Sequence, residues 1–197
     1  MINKTNFEKL KDECGEWASW ALWTAPDRGK PLNCKENIGD LDLFDDDSCL
    51  EQLKPEYVLL GLNWSRKTEK KSWSNFHDPL PKSQDYKLRY ALKGTCLWGA
   101  YITDIKKNFV KLNSGQVTIN EDDYEALKRE LKLLASSTNI PLTIIALGNK
   151  VFEYIQTRQD DLNKSFEGCR IKKLTHYSAY ISMQKYKEKV EKFFQDS

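Results

Sequence analysis

Two short polar clusters hold the residue types best suited to chemistry, Gly61-Leu62-Asn63-Trp64-Ser65 and His176-Tyr177-Ser178-Ala179-Tyr180. An Asn amide can orient a water, a His can donate to a developing anion, and Ser hydroxyls can hold phosphate oxygens. Each cluster follows a segment of strand character, 57–60 and 171–175. An open parallel α/β sheet binds its ligands just there, beyond the carboxyl ends of its strands. The set suits chemistry on a nucleotide.

The elements that must position these clusters alternate in period, which is the pattern of βαβ units. Strands are expected over 57–62, 100–105, 142–147 and 169–175, and helices over 84–97, 121–135 after the cap Asn120, 149–157 and 183–194. The helix over 121–135 carries Tyr124, Leu127, Leu131 and Leu134 on one face and acids in its first turn, as the helix dipole prefers. Residues 1–50 supply a helix bearing Phe7, Leu10, Cys14, Trp17, Trp20 and Ala21, a buried stripe, and then an irregular segment. Four parallel strands joined by helical crossovers give a three-layer α/β/α sandwich with a central four-stranded parallel sheet. With 197 residues, one domain over 1–197 is expected.

Composition removes several function classes. A net charge of +2 gives no overall basic field. Locally the charges separate: 40–56 holds seven acids against Lys54, whereas 66–93 holds eight Lys or Arg against Glu69, Asp78 and Asp85. Arg66, Lys67, Lys70 and Lys71 form the densest part of that basic stretch, a candidate phosphate-contacting loop or else a solvated surface. The five cysteines are dispersed, with no zinc spacing, and read as reduced thiols of a cytoplasmic protein. Asp45-Asp46-Asp47 reads as an Asp-rich helix start rather than a metal loop, so neither metal nor other cofactor is expected. No window is apolar enough for a membrane span.

Taken in order, these segments resemble the uracil-DNA glycosylase superfamily, whose first motif reads Gly-x-(Asn/Asp)-Pro-x and whose last commonly reads His-Pro-Ser. The likeness covers 57 to about 182. Phe76, thirteen residues after Asn63, falls where that family places an aromatic against an extruded base. Residues 100–107 resemble its second strand and 144–150 its strand-to-helix turn. Two positions depart from the pattern: Trp64 and Tyr177 stand where the motifs carry Pro. The cysteine cluster of the family's iron-sulfur branch has no counterpart.

The resemblance implies a monomeric glycosylase-like protein that hydrolyses the N-glycosidic bond of a flipped uracil or other modified base in DNA. Asn63 would orient the water and His176 would donate to the departing base. Phe76, Asp104 and His77 would contact the base, although His77 could equally bond to loop backbone. Ser65 and Ser178, with Arg66, Lys67, Lys70 and Lys71, would hold phosphates. Asp104 lies where related enzymes often carry Asn, and an ionised Asp only accepts hydrogen bonds, so a base with an exocyclic amine is expected to be preferred over uracil. Two other classes stay open, a catalytically silent nucleic-acid-binding module and a hydrolase of free nucleotides or nucleosides.

Overall fold

The structure, a computed structural model, describes residues 2–64, 71–107 and 109–195, without the side chains of 114, 194 and 195. Its strands are β1 (Ser19–Trp20), β2 (Lys54–Gly61), β3 (Ala100–Asp104), β4 (Thr143–Leu147) and β5 (Arg170–Leu174). They form one five-stranded sheet in the order β1-β3-β2-β4-β5, parallel except for β1. The helices are α1 (Lys4–Cys14), α2 (Asp85–Leu92), α3 (Glu121–Ala135), α4 (Asn149–Gln156), α5 (Gln159–Ser165) and α6 (Met183–Gln195).

Alternation along the central strands sends side chains to two apolar cores. Val58, Leu60, Tyr101, Ile144 and Ala146 pack with Phe7 and Leu10 of α1, Leu127 and Leu131 of α3, and Val151 and Ile155 of α4. Leu59, Ile102, Ile145 and Leu147 pack with Leu88, Ala91 and Leu92 of α2 and Tyr186 and Val190 of α6. Helices therefore cover both faces, as near-continuous apolar strands require. Burying each large side chain contributes about 1.5–3 kcal/mol, so the central strands are the rigid base on which the polar loops stand. Among the described residues no helix is long and apolar enough to cross a membrane.

The four-stranded expectation is corrected to five, because Trp20 does not extend the N-terminal helix. α1 ends at Cys14, Gly15 accepts from the Trp73 N–H at 2.8 Å, and Ser19–Trp20 then pairs antiparallel with Ile102 and Tyr101. The apolar spacing of Trp17 and Trp20 reflects burial by this edge strand rather than helical period. α2 stops at Leu92, short of the expected 97, since Gly94 takes a φ of +82° that ends a right-handed helix. α5 is an addition that has no strong apolar stripe, with Leu162 its buried residue. α3 matches its expected bounds and closes a capping box between Asn120 and Asp123.

Candidate functional site

β2 is the central strand, with its successor β3 on one side and β4 on the other. The crevice at such a reversal collects the loops after β2, β4 and β5. Two concavities meet there. A narrow pocket of about 70 Å³ is lined by Asn63, Phe76, Asp85, Asp104, His176 and Tyr177, among others. A wider groove of about 530 Å³ is lined by Lys111, Gly148, Asn149, Lys150 and Ser178. Asn63 and His176 line both.

The two motif residues are held in defined orientations. Asn63 Nδ2 donates to the carbonyls of Trp64, at 2.7 Å, and Lys111, at 2.8 Å. Those two carbonyls use both amide protons and fix the flip, so the side chain offers its oxygen as an acceptor. The loop is tied further by a parallel bridge between Trp64 and Val110. His176 Nδ1 accepts from the Ser178 backbone N–H at 3.1 Å and lies 2.8 Å from Ser178 Oγ. A backbone N–H can only donate, so the proton of the neutral ring sits on Nε2. Burial, with the Lys87 ammonium nearby, pushes the His176 pKa down to about 4, which keeps the ring neutral at physiological pH. Lys87 fixes the rest of this loop by donating to the carbonyls of Ala179 and Ile181 at 3.0 and 2.8 Å.

The pocket floor is built from β3 and the segment before α2. Asp104, the last residue of β3, accepts from Asn75 Nδ2 at 3.1 Å, and Asn75 also donates to the Trp17 carbonyl at 2.8 Å. Behind it, Lys107 donates to the Asp104 carbonyl and Thr103 Oγ1 and pairs with Glu130, which accepts from Tyr101 OH at 2.7 Å. Gly61 is required by close approach: a Cβ there would lie 2.2 Å from Asp104 Oδ1. Phe76 sits against the same spot with a φ of +63°, a conformation that costs energy for an aromatic residue and is held by Trp23 Nε1 donating to its carbonyl. Its ring meets Tyr177 edge-on at 6.3 Å, and Tyr177 stacks on His176 at 4.6 Å.

Asp85 is one of the pocket residues that sequence reading missed. As an acid in the first turn of α2 it looks like an ordinary solvated dipole partner, yet it is only 2% exposed and accepts from the Asp78 N–H at 2.8 Å. Tyr177 is buried beside it in the same pocket. Burial, opposed by the Asp78 N–H bond, raises Asp85 to about 7, and burial raises Asp104 to about 6. No sequence signal marked Asp85, because its burial depends on how the segment before α2 folds back.

Other expected residues lie elsewhere. His77 does not line the pocket: its Nε2 faces the Leu22 carbonyl at 2.9 Å and its Nδ1 the Asn75 carbonyl at 3.0 Å and Ser19 Oγ at 3.2 Å. These bonds join the Phe76 segment to the β1 region, so a base contact by His77 is corrected to a positioning role. Lys71 lines a separate groove with Lys11, Asp42 and Asp45 and is not brought to Asn63 or His176. Ser178 is exposed at the groove with its hydroxyl turned to His176. Ser65, Arg66, Lys67 and Lys70 lie outside the described residues. Among the described residues no His, Cys, Asp and Glu group could hold a metal ion. No protein-family model, curated protein or solved structure matches the chain.

Proposed function

We propose that this chain is a DNA glycosylase-like hydrolase of the N-glycosidic bond, acting on a base turned out of its stack into the narrow pocket. The observation that carries the reading is the junction: the Asn63 carbonyl oxygen and the neutral His176 ring border both the pocket and the groove. With the base in the pocket and the flanking backbone in the groove, the bond between them falls at that seam. Asn63 would accept from a water and aim it at C1′. As the C1′–N bond breaks, its electron pair passes to the base, and His176 Nε2–H donates to the anion that forms; the water's hydroxyl bonds to C1′ and its proton leaves to solvent. One such donor is worth roughly 3 kcal/mol or more. Phe76 would face the base, and flipping costs of a few kcal/mol are offset by those contacts. Lys111, Lys150 and the N-terminus of α4 give the groove the character that suits phosphate.

The test is an oligonucleotide panel carrying uracil, hypoxanthine and modified cytosines, incubated with the protein and then with alkali to cut abasic sites. Strand scission at one of these bases is the expected result. Salt-sensitive DNA binding without scission would favour a silent binding module, and activity on mononucleotides alone would favour a nucleotide hydrolase.

A further inference from the structure

Two carboxyl groups face one small pocket, and neither is neutralised there. Asp85 lies under Asp78 and Tyr177, and Asp104 under Asn75. Among the described residues no Lys or Arg forms an ion pair with either, since Lys107 is spent on the Asp104 carbonyl, Thr103 and Glu130. The bonds they do receive, from the Asp78 N–H and the Asn75 amide, each use one oxygen of a carboxyl and leave the other for the pocket. Where both are ionised, an occupant that displaces water from the remaining oxygens must bring donors, because an acceptor sealed without one is costly. Trp64 adds an apolar wall. It lines the same pocket and is 7% exposed, with its indole N–H sealed from the cavity. An occupant that fits therefore carries donors on a flat apolar ring.

We infer that the pocket selects a nucleobase bearing an exocyclic amino group, whose two N–H bonds go to Asp85 and Asp104 while the ring lies against Trp64 and Phe76. This deepens the base-release reading and rests on it for the claim that a nucleobase is what enters. Cytosine and uracil separate the alternatives well, because they share a ring and differ at this edge: cytosine offers an amine beside a bare ring nitrogen, uracil a carbonyl beside an N–H. A uracil oxygen placed against either carboxylate is repelled.

Isothermal titration of the full chain with free cytosine and with free uracil at pH 8 tests the inference. Cytosine is expected to bind about tenfold or more tightly than uracil. Asp104→Asn and Asp85→Asn, each checked for folding by circular dichroism, should narrow or reverse that preference; having two variants covers the case in which one does not fold. Equal or tighter binding of uracil by the unmodified chain, or no binding of either base up to its solubility limit, overturns the proposal. Release of uracil from DNA with Asp104→Asn unaltered sinks the amine preference while leaving glycosylase activity standing. A cytosine preference without base release from any oligonucleotide does the reverse.

Discussion

The pocket and the groove share Asn63 and His176 but are opposite in character. Walls of the pocket are buried and acidic, with Asp85, Asp104 and Phe76 locked by loop backbone and by the Asn75 amide. Sides of the groove are open and carry Lys111 and Lys150 beside the first turn of α4. A phosphate would be repelled by the first and attracted by the second, whereas an uncharged amine-bearing ring fits the first. On the proposed reading, the contrast teaches how electrostatics would sort a nucleotide into its parts before any base is read. Changes at the seam should stop chemistry, changes in the pocket should alter choice, and changes in the groove should alter only affinity.

The largest expected effect is at the seam. His176→Ala should lower base release by about two to three orders of magnitude, the usual loss for one donor to a developing anion, with DNA affinity almost unchanged. Single-turnover rates on the best substrate, alongside equilibrium binding, give both numbers. Because the ring is already neutral through most of the accessible range, its pKa near 4 should produce no limb in the pH–rate profile above pH 5. Full activity in His176→Ala would falsify its assignment as the donor.

Next comes a pair of glycines, one on each side. A Cβ on Gly61 would lie 2.2 Å from Asp104 Oδ1 and 3.3 Å from Phe76 Cζ, so Gly61→Ala must displace a packed carboxyl. We expect a loss of about 1–3 kcal/mol in urea unfolding together with a weakened base preference. A Cβ on Gly115, in the groove, meets only Asn113 Oδ1 at 3.1 Å, and Gly115→Ala should stay within about 0.5 kcal/mol of the unmodified chain. Equal costs at the two positions would mean that the pocket is no more rigid than the groove.

Buried carboxyls make the pocket pH-sensitive as well. Asp85 near 7 and Asp104 near 6 both lie above an unfolded Asp, so the folded chain holds these protons more tightly. Their stabilising contribution is complete below about pH 4 and is lost as pH rises through 6 and 7. Asp85→Asn keeps an acceptor for the Asp78 N–H and removes the titration. Its stability relative to the unmodified chain should rise by on the order of 1–3 kcal/mol between pH 5 and pH 8. Urea midpoints at the two pH values measure this, and parallel curves would show that Asp85 ionises without penalty.

Periodicity made the frame legible in the sequence. The strong apolar runs of β2, β3 and β4, the one-face stripe of α3 and the cap Asn120 all read directly, because each is set by local pattern. β1 did not, since a two-residue edge strand has no period and Trp20 mimicked a helix stripe. At the site, Asn63 and His176 were recognisable from their places after strands, and Phe76 and Asp104 from the family resemblance, and the four do share one pocket. Asp85 and Asn75 were hidden because their burial depends on how the segment between β2 and α2 folds back over β3. His77 was misplaced for the same reason: its neighbours in space, Ser19 and Leu22, lie more than fifty residues away.

The smallest effect should come from the groove, and it concerns salt rather than rate. Lys111 contributes its backbone to the Asn63 loop, accepting from Asn63 Nδ2 and donating its N–H to the Trp64 carbonyl at 3.0 Å, while its side chain is exposed at the groove. Lys150 is half-buried in the first turn of α4, its ammonium 3.3 Å from the Gly115 carbonyl. Replacing both with Gln leaves the backbone bonds intact and removes two charges from the path assigned to the phosphates. Each lost phosphate contact should flatten the plot of log affinity against log salt by about 1, so the double variant should lose about 2 in slope. The weakening should be uniform across sequences and leave the cytosine-over-uracil preference untouched, because phosphate contacts carry no base information. Fluorescence anisotropy over a salt series, on oligonucleotides of two unrelated sequences, measures both. An unchanged slope would move the DNA path off this groove and towards the basic stretch of Arg66, Lys67, Lys70 and Lys71, whose conversion to Gln would then have to flatten it instead.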